Sequence, residues 1–156
     1  MELTDTEKKD ILLKAGAEII SNEDWTYVPC LESAGDFANF VKLPEEEKNK
    51  YYQPVPPEDV RVCGFKPEDL VSFILDDNSM YPDYFQGDEL YIAYREPLQD
   101  GRDFAVMVND KILIRRINIQ GEMIELVPVN MEYSRETYRK DDIRWLGRVC
   151  GHSREL

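Results

Sequence analysis

The chain has 156 residues, enough for one compact domain or one domain with an N-terminal arm. Hydrophobic residues make up 42% of it, which argues against disorder throughout. Its 19 Lys and Arg face 32 Asp and Glu; the formal net charge of −13 repels polyphosphate and disfavours direct nucleic-acid binding by these residues.

Along the chain, Ile11, Leu12, Ala15, Ile19 and Ile20 are spaced for one helical face and predict an N-terminal helix over residues 4–20. Thr4 or Asp5 can cap it, and Glu7 stands three residues after Thr4, as a capping box requires. One helix is not a helix-turn-helix, so the expected role is a packing arm or the end of a linker. Trp25 to Leu31 reads as a short strand, and Ser33-Ala34-Gly35 as a break followed by scattered hydrophobes at Phe37, Phe40 and Val41. Residues 43–57, rich in Pro, Glu, Lys and Tyr with no clear period, read as an exposed loop. Lys66 to Leu70 opens a helical turn, with Pro67 where proline is tolerated.

From Val71 onward the pattern is β. Strands are expected at 71–75, 89–94, 104–108, 111–117, 123–128 and 145–150, with hairpin turns at Asn109-Asp110 and Gln120-Gly121. Short strands with frequent turns predict a mainly β fold, a coiled antiparallel sheet or a partly open barrel, and not a parallel α/β fold. Cys30, Cys63 and Cys150 form no CxxC pair, and His152 is the single histidine, so neither a disulfide framework nor a zinc site is expected. Reduced thiols in a soluble cytoplasmic protein are the expectation, since the apolar runs are short and the acidic N-terminus is unlike a signal peptide.

The segment Asp77-Asn78-Ser79-Met80-Tyr81-Pro82 places a serine in a turn after a hydrophobic strand. A serine hydroxyl becomes a useful nucleophile only beside a base, which in Ser/Lys enzymes is a lysine kept neutral by burial. Such a turn can also aim backbone N–H groups at an oxyanion. Gly87-Asp88, the hairpin at Asp110 and then Ile112-Leu113-Ile114-Arg115-Arg116-Ile117 follow in order.

This ordered series resembles the LexA-type, S24 peptidase-like family, whose pattern is roughly Gly-Asp-Ser-Met-x-Pro, Gly-Asp, a hairpin and Val-Lys-Arg-Leu. The resemblance continues through Glu125 to Asn130, like the family's Leu-x-Pro-x-Asn, and through Leu146-Gly147-Arg148-Val149, like its closing Gly-Arg-Val strand. It covers residues 60–151. Upstream, Val28 to Gly35 is similar to the stretch holding the family's self-cleavage bond, which makes Ala34-Gly35 the matching peptide. The implied organisation is an arm or linker over 1–25, a cleavage-site-like region and exposed loop over 26–59, and the S24-like β domain over 60–156.

Two departures bear on activity. Asp77 and Asn78 stand where the family has Gly-Asp, and Arg115 aligns with the general-base lysine. A guanidinium is effectively never deprotonated in a protein and cannot take the proton of Ser79 near neutral pH. Lys111, four residues earlier, lies roughly 13 Å away along an extended strand, at the hairpin end and out of reach. Arg115 is instead expected to donate hydrogen bonds to Ser79 or a nearby carboxylate. His152 reads as a surface residue. Glu45-Glu46-Glu47 and Asp141-Asp142 read as solvated faces, while Tyr51, Tyr52, Tyr81, Tyr84 and Phe85 serve to cover the core or present an aromatic patch.

The resemblance implies the regulatory and oligomerisation domain of a phage- or prophage-type transcriptional repressor, with a degenerate Ser79–Arg115 dyad and no cofactor or metal. It implies a homodimer or higher oligomer, partly through the strand Trp145 to Cys150. DNA would be bound only through a separate helix-turn-helix domain, and release would come from an antirepressor protein or, in an SOS response, from RecA. The alternatives are an active Ser/Lys autopeptidase cutting Ala34-Gly35, and a UmuD-like accessory subunit.

Overall fold

The computed structural model describes residues 25–154, so the expected helix over residues 4–20 lies outside the described residues. Nine strands form one open, coiled sheet in the order β2-β1-β3-β4-β9-β5-β6-β7-β8. They are β1 (Thr26–Leu31), β2 (Tyr52–Val55), β3 (Leu70–Ile74), β4 (Glu89–Tyr94), β5 (Asp103–Val108), β6 (Lys111–Gln120), β7 (Met123–Val127), β8 (Glu136–Arg139) and β9 (Arg144–Ser153). All neighbours are antiparallel except β1 and β3, which run parallel over Cys30↔Ser72 and Leu31↔Phe73. The expected mainly β fold with a coiled antiparallel sheet is found, with β1 and β3 as its one parallel pair.

The break expected at Ser33 is a helix start. Helix α1 (Ala34–Lys42) is capped by Ser33, whose Oγ accepts from the Asp36 N–H at 3.1 Å while Asp36 Oδ2 accepts from the Glu32 N–H at 3.0 Å. The pair is close to a capping box, with Asp36 reaching back to the N–H of the residue before the cap instead of to that of Ser33 itself. Phe37 and Phe40, read as scattered hydrophobes, are the buried face of α1 and meet Tyr94 and Tyr51 edge-on. The expected loop at 43–57 is also structured. A 3-10 helix (Glu45–Tyr51) leads into β2, an edge strand that tolerates Pro54. Helix α2 (Pro57–Cys63) follows, with Pro57 in its first turn and Gly64 ending it in the left-handed region at φ 75°.

Asn109 and Asp110 make the two-residue β5–β6 turn with φ of 49° and 66°, as the hairpin chemistry requires. The next hairpin is shifted by one residue from expectation: Gln120 pairs with Met123, leaving Gly121-Glu122 as the turn. Strand β9 carries two bulges. Between β4 pairs Tyr91↔Gly151 and Ile92↔Val149 the extra residue is Cys150, and between β5 pairs Ala105↔Gly147 and Val106↔Trp145 it is Leu146. Bulges of this kind bend and twist a strand, consistent with the coiled, unclosed sheet. Gly147 lies where a Cβ would stand 2.1 Å from the Ala93 carbonyl oxygen, so only glycine lets β9 approach β4 there.

The main core joins α1 to β3, β4, β5 and β6 through residues such as Phe37, Phe73, Leu90 and Ile114. A second cluster gathers Phe104, Val106, Ile117, Ile124 and Leu126 at the β5–β6–β7 end. The Ser79 turn is carried on the connection from β3 to β4, with Met80 in the main core.

Candidate functional site

The connection from β3 to β4 is closed at its neck by Leu75 N–H donating to the Asp88 carbonyl at 2.9 Å and Gly87 N–H to the Leu75 carbonyl at 2.8 Å. Met80, fully buried, anchors it to the core. The Tyr81–Pro82 peptide is cis. Asp88 is fixed from the C-terminus by Arg154, which donates from Nε and one terminal nitrogen to the two carboxylate oxygens, each at 2.8 Å. The Arg154 guanidinium also lies 3.9 Å from the Phe85 ring centroid. Hydrogen bonding from Arg154 holds the Asp88 carboxyl below its usual range, against burial and with help from the Phe85 N–H.

Asn130, just after β7, latches the turn from the other side. Its N–H donates to the Ser79 carbonyl at 2.9 Å, and its side-chain amide donates to the Asn78 carbonyl at 3.0 Å. Tyr133 completes the latch, accepting from the Asn78 N–H at its hydroxyl, 3.3 Å away. The β6–β7 hairpin and its exit therefore set where Ser79 stands.

Ser79 is 0% exposed and Arg115 is 6% exposed. Arg115 projects from β6, where its cross-strand neighbour is the buried Phe104. One of its terminal nitrogens donates to Ser79 Oγ at 2.7 Å and to the Ile114 carbonyl at 2.8 Å. Ser79 Oγ in turn donates to Asp77 Oδ1 at 2.6 Å, and the same carboxylate oxygen accepts from the Ser79 N–H at 3.0 Å. The hydroxyl thus has a cation donating to it and an anion receiving its proton. Its own backbone N–H, the donor such a turn could offer an oxyanion, is occupied by Asp77.

Burial pulls the Arg115 guanidinium below its ordinary value, opposed by the carboxylates of Asp77, Glu136 and Asp76 and by Tyr133. The group stays a cation near neutral pH, since a guanidinium is not deprotonated in proteins. The Tyr133 ring centroid lies 6.0 Å from it, within cation–π range. An Asp–Ser–Arg chain with its serine and arginine buried and its aspartate half-buried can hold a turn shut. It offers no neutral base to activate the serine.

Lys111 is exposed at the hairpin end of β6, opposite Val108. Ala34 and Gly35 form the first turn of α1, and Ala34 is buried. The cleft lined by Pro128, Val129, Met131 and Tyr133 with Arg116 and Arg135 is lined by neither Ser79 nor Arg115, nor by Ala34 or Gly35. His152 is exposed and sits edge-on to Tyr84. Glu46, Glu47, Asp141 and Asp142 are exposed. Tyr51 packs on Phe40, while Tyr81 stacks on Phe85 and remains about half exposed, so the aromatics divide between core cover and surface. Among the described residues no group of three or more His, Cys, Asp or Glu is placed to hold a metal ion, and no helix is long and apolar enough to cross a membrane.

Sequence reasoning read Asp77 as a changed glycine and missed it as the acceptor of the Ser79 proton. The signal was local: an aspartate two residues before a serine can bond that residue's backbone and side chain. It also missed Asn130 and Tyr133 as latches and Arg154 as the clamp on Asp88, because these contacts span tens of residues and follow no period.

Residues 33–150 match the family model described as Peptidase S24-like. The chain is 34% identical over 70 residues to a LexA repressor of Thermotoga neapolitana, covering 45% of this chain and 36% of that protein. It is 30% identical over 70 residues to a LexA repressor of Thermotoga maritima, with the same coverage. A LexA repressor of Oleidesulfovibrio alaskensis is 32% identical over 68 residues, covering 42% of this chain and 33% of the relative. The matched stretch spans about a third of the length of these relatives. The fold, the order of the turn, hairpin and closing strand, and this match together define the class: the chain belongs to the Peptidase S24-like family, among whose members it is similar to LexA repressors.

Proposed function

We propose that the chain is the regulatory and oligomerisation domain of a phage- or prophage-type transcriptional repressor, in which Ser79 and Arg115 form a structural lock and not a self-cleaving dyad. The observation that carries this reading is the hydrogen-bond chain from Arg115 through Ser79 Oγ to Asp77. In that chain the Arg115 cation stands where the family has its base, and the carboxylate that accepts from the Ser79 hydroxyl is also tied to the Ser79 backbone N–H. The helical setting of Ala34-Gly35 supports the same reading, since a peptide in the first turn of α1 is not extended for attack.

In this reading the domain works in the cytoplasm, and DNA is bound by a separate helix-turn-helix domain. The net charge of −13 suits a protein partner, such as an antirepressor, better than a nucleic acid. A second copy docks along β9. The expected interface at Trp145 to Cys150 narrows here. Strand β9 pairs with β4 from Gly147 onward and with β5 up to Arg148, so beyond Arg148 its edge away from β4 is open to backbone pairing with a partner, and Trp145 contributes its partly exposed ring.

Incubation with activated RecA filaments, followed by gel electrophoresis, tests the regulatory half of the reading. The natural chain stays intact, and size-exclusion chromatography gives a dimer or larger species. RecA-dependent fragments that disappear in Ser79→Ala would establish the autopeptidase instead, and a monomer at high micromolar concentration would remove the oligomerisation role.

A further inference from the structure

Two of the three cysteines meet at a feature of the sheet that the Ser79 site does not use. Cys63 is the last residue of α2 and is 8% exposed. Cys150 is the extra residue of the β9 bulge, set between the pairs Tyr91↔Gly151 and Ile92↔Val149. A bulge re-aims a side chain that a regular ladder would send elsewhere. Here it leaves the Cys150 thiol partly exposed and packed with Cys63, Val60, Leu70 and Tyr91 in one cluster.

The residue after the bulge makes room for the second sulfur. A Cβ on Gly151 would stand 2.9 Å from Cys63 Sγ, so the Cys63 sulfur lies directly over the glycine that follows Cys150. The Cys150 thiol donates to the Tyr91 carbonyl at 3.4 Å, within the cluster that also holds Cys63. Hydrogen bonding from Cys150 pulls the Cys63 thiol down, against burial and Asp59, and Arg148 assists; the same bond, with burial, pushes the Cys150 thiol up. Cys30 is elsewhere, on β1, 4.0 Å from a Glu89 carboxylate oxygen, and burial raises it. The thiolate is the nucleophile, so the thiol whose value is lowered, Cys63, is the attacking member of the pair.

We propose that Cys63 and Cys150 form a redox modification site, at which hydrogen peroxide joins α2 to the β9 bulge through a reversible disulfide. The Cys63 thiolate attacks one peroxide oxygen, the O–O bond breaks, and the departing hydroxide takes a proton to become water. The sulfur of Cys150 then attacks the sulfenic sulfur of Cys63; the S–O bond breaks and the leaving oxygen departs as a second water, carrying the Cys150 proton. Two thiols are oxidised and one peroxide is reduced to two waters. The bond closes the chain from residue 63 to residue 150 into one loop that contains β3 to β8, the first part of β9 and the Ser79 site, so the oxidised form resists unfolding more than the reduced form.

The test treats the natural chain under native conditions with a small molar excess of hydrogen peroxide, then blocks remaining thiols with a maleimide and measures intact mass. The expected product has lost two hydrogens, carries one maleimide and not three, returns to three on reduction, and yields a peptide pair linking Cys63 to Cys150. Cys30→Ser gives the same link, whereas Cys63→Ser and Cys150→Ser give none. Three labelled thiols after treatment, a bond that includes Cys30, or oxidation of Cys63 to the sulfinic acid with no bond would each overturn the proposal. Because peptide mapping is done on the natural chain, the result does not depend on either serine variant folding.

Discussion

Three side chains, Asp77, Ser79 and Arg115, account for the chemistry of the site. The serine and its basic partner were legible in the sequence because both lie in segments whose local rules are strict, a turn with proline and a regular strand. Their meeting was legible only through the family pattern, since no local rule joins residues 36 apart. Asp77 escaped notice because its role depends on which way the turn folds. A buried donor–acceptor chain is sensitive to the loss of any member. Arg115→Leu is expected to lower unfolding stability by about 3 kcal/mol and Ser79→Ala by about 1 kcal/mol. The double variant should lose less than the sum, because the two share one interaction. Urea unfolding of the four chains measures this; strict additivity would show that the pair is not coupled.

Asp88 gives the site a pH dependence with a definite sign. Its folded carboxyl titrates below the ordinary value, so its contribution is fully present above that ordinary value and is lost as pH falls through the folded one. Unfolding midpoints of the natural chain therefore decline on the acid side, and Asp88→Asn should make that decline shallower. An acid limb of equal slope in both chains would show that the Asp88 carboxyl does not contribute to it.

At the scale of elements, the central strands were read from alternation and the β5–β6 hairpin from its Asn-Asp turn, because those signals are local. Strand β8 was missed since Glu136, Thr137 and Arg139 are exposed and carry no alternation; the strand exists by pairing with β7. Strand β2 was hidden by Pro54, and α2 by the prolines before it, although Pro57 and Gly64 are proper start and stop signals. Two substitutions test what holds these elements. Ser33→Ala removes the cap of α1 and should cost about 1 kcal/mol in chemical unfolding, with no change expected in the sheet. Gly147→Ala drives a methyl into the Ala93 carbonyl and should cost about 3 kcal/mol or prevent folding. A near-neutral Gly147→Ala would mean that β9 can move away from β4 at that point.

For the whole molecule, charge and architecture point the same way. On the proposed reading the acidic chain is a regulatory module without DNA contacts of its own, and it is expected to leave a labelled DNA duplex unbound at micromolar concentration and physiological salt. Measurable anisotropy change there would assign DNA contacts to these residues themselves. The most direct test of the locked pair is the intact mass of the natural chain after prolonged incubation at alkaline pH, where a Ser/Lys dyad would be at its most active. A single species of full mass is the predicted result; paired fragments meeting between Ala34 and Gly35, absent from Ser79→Ala, would contradict it.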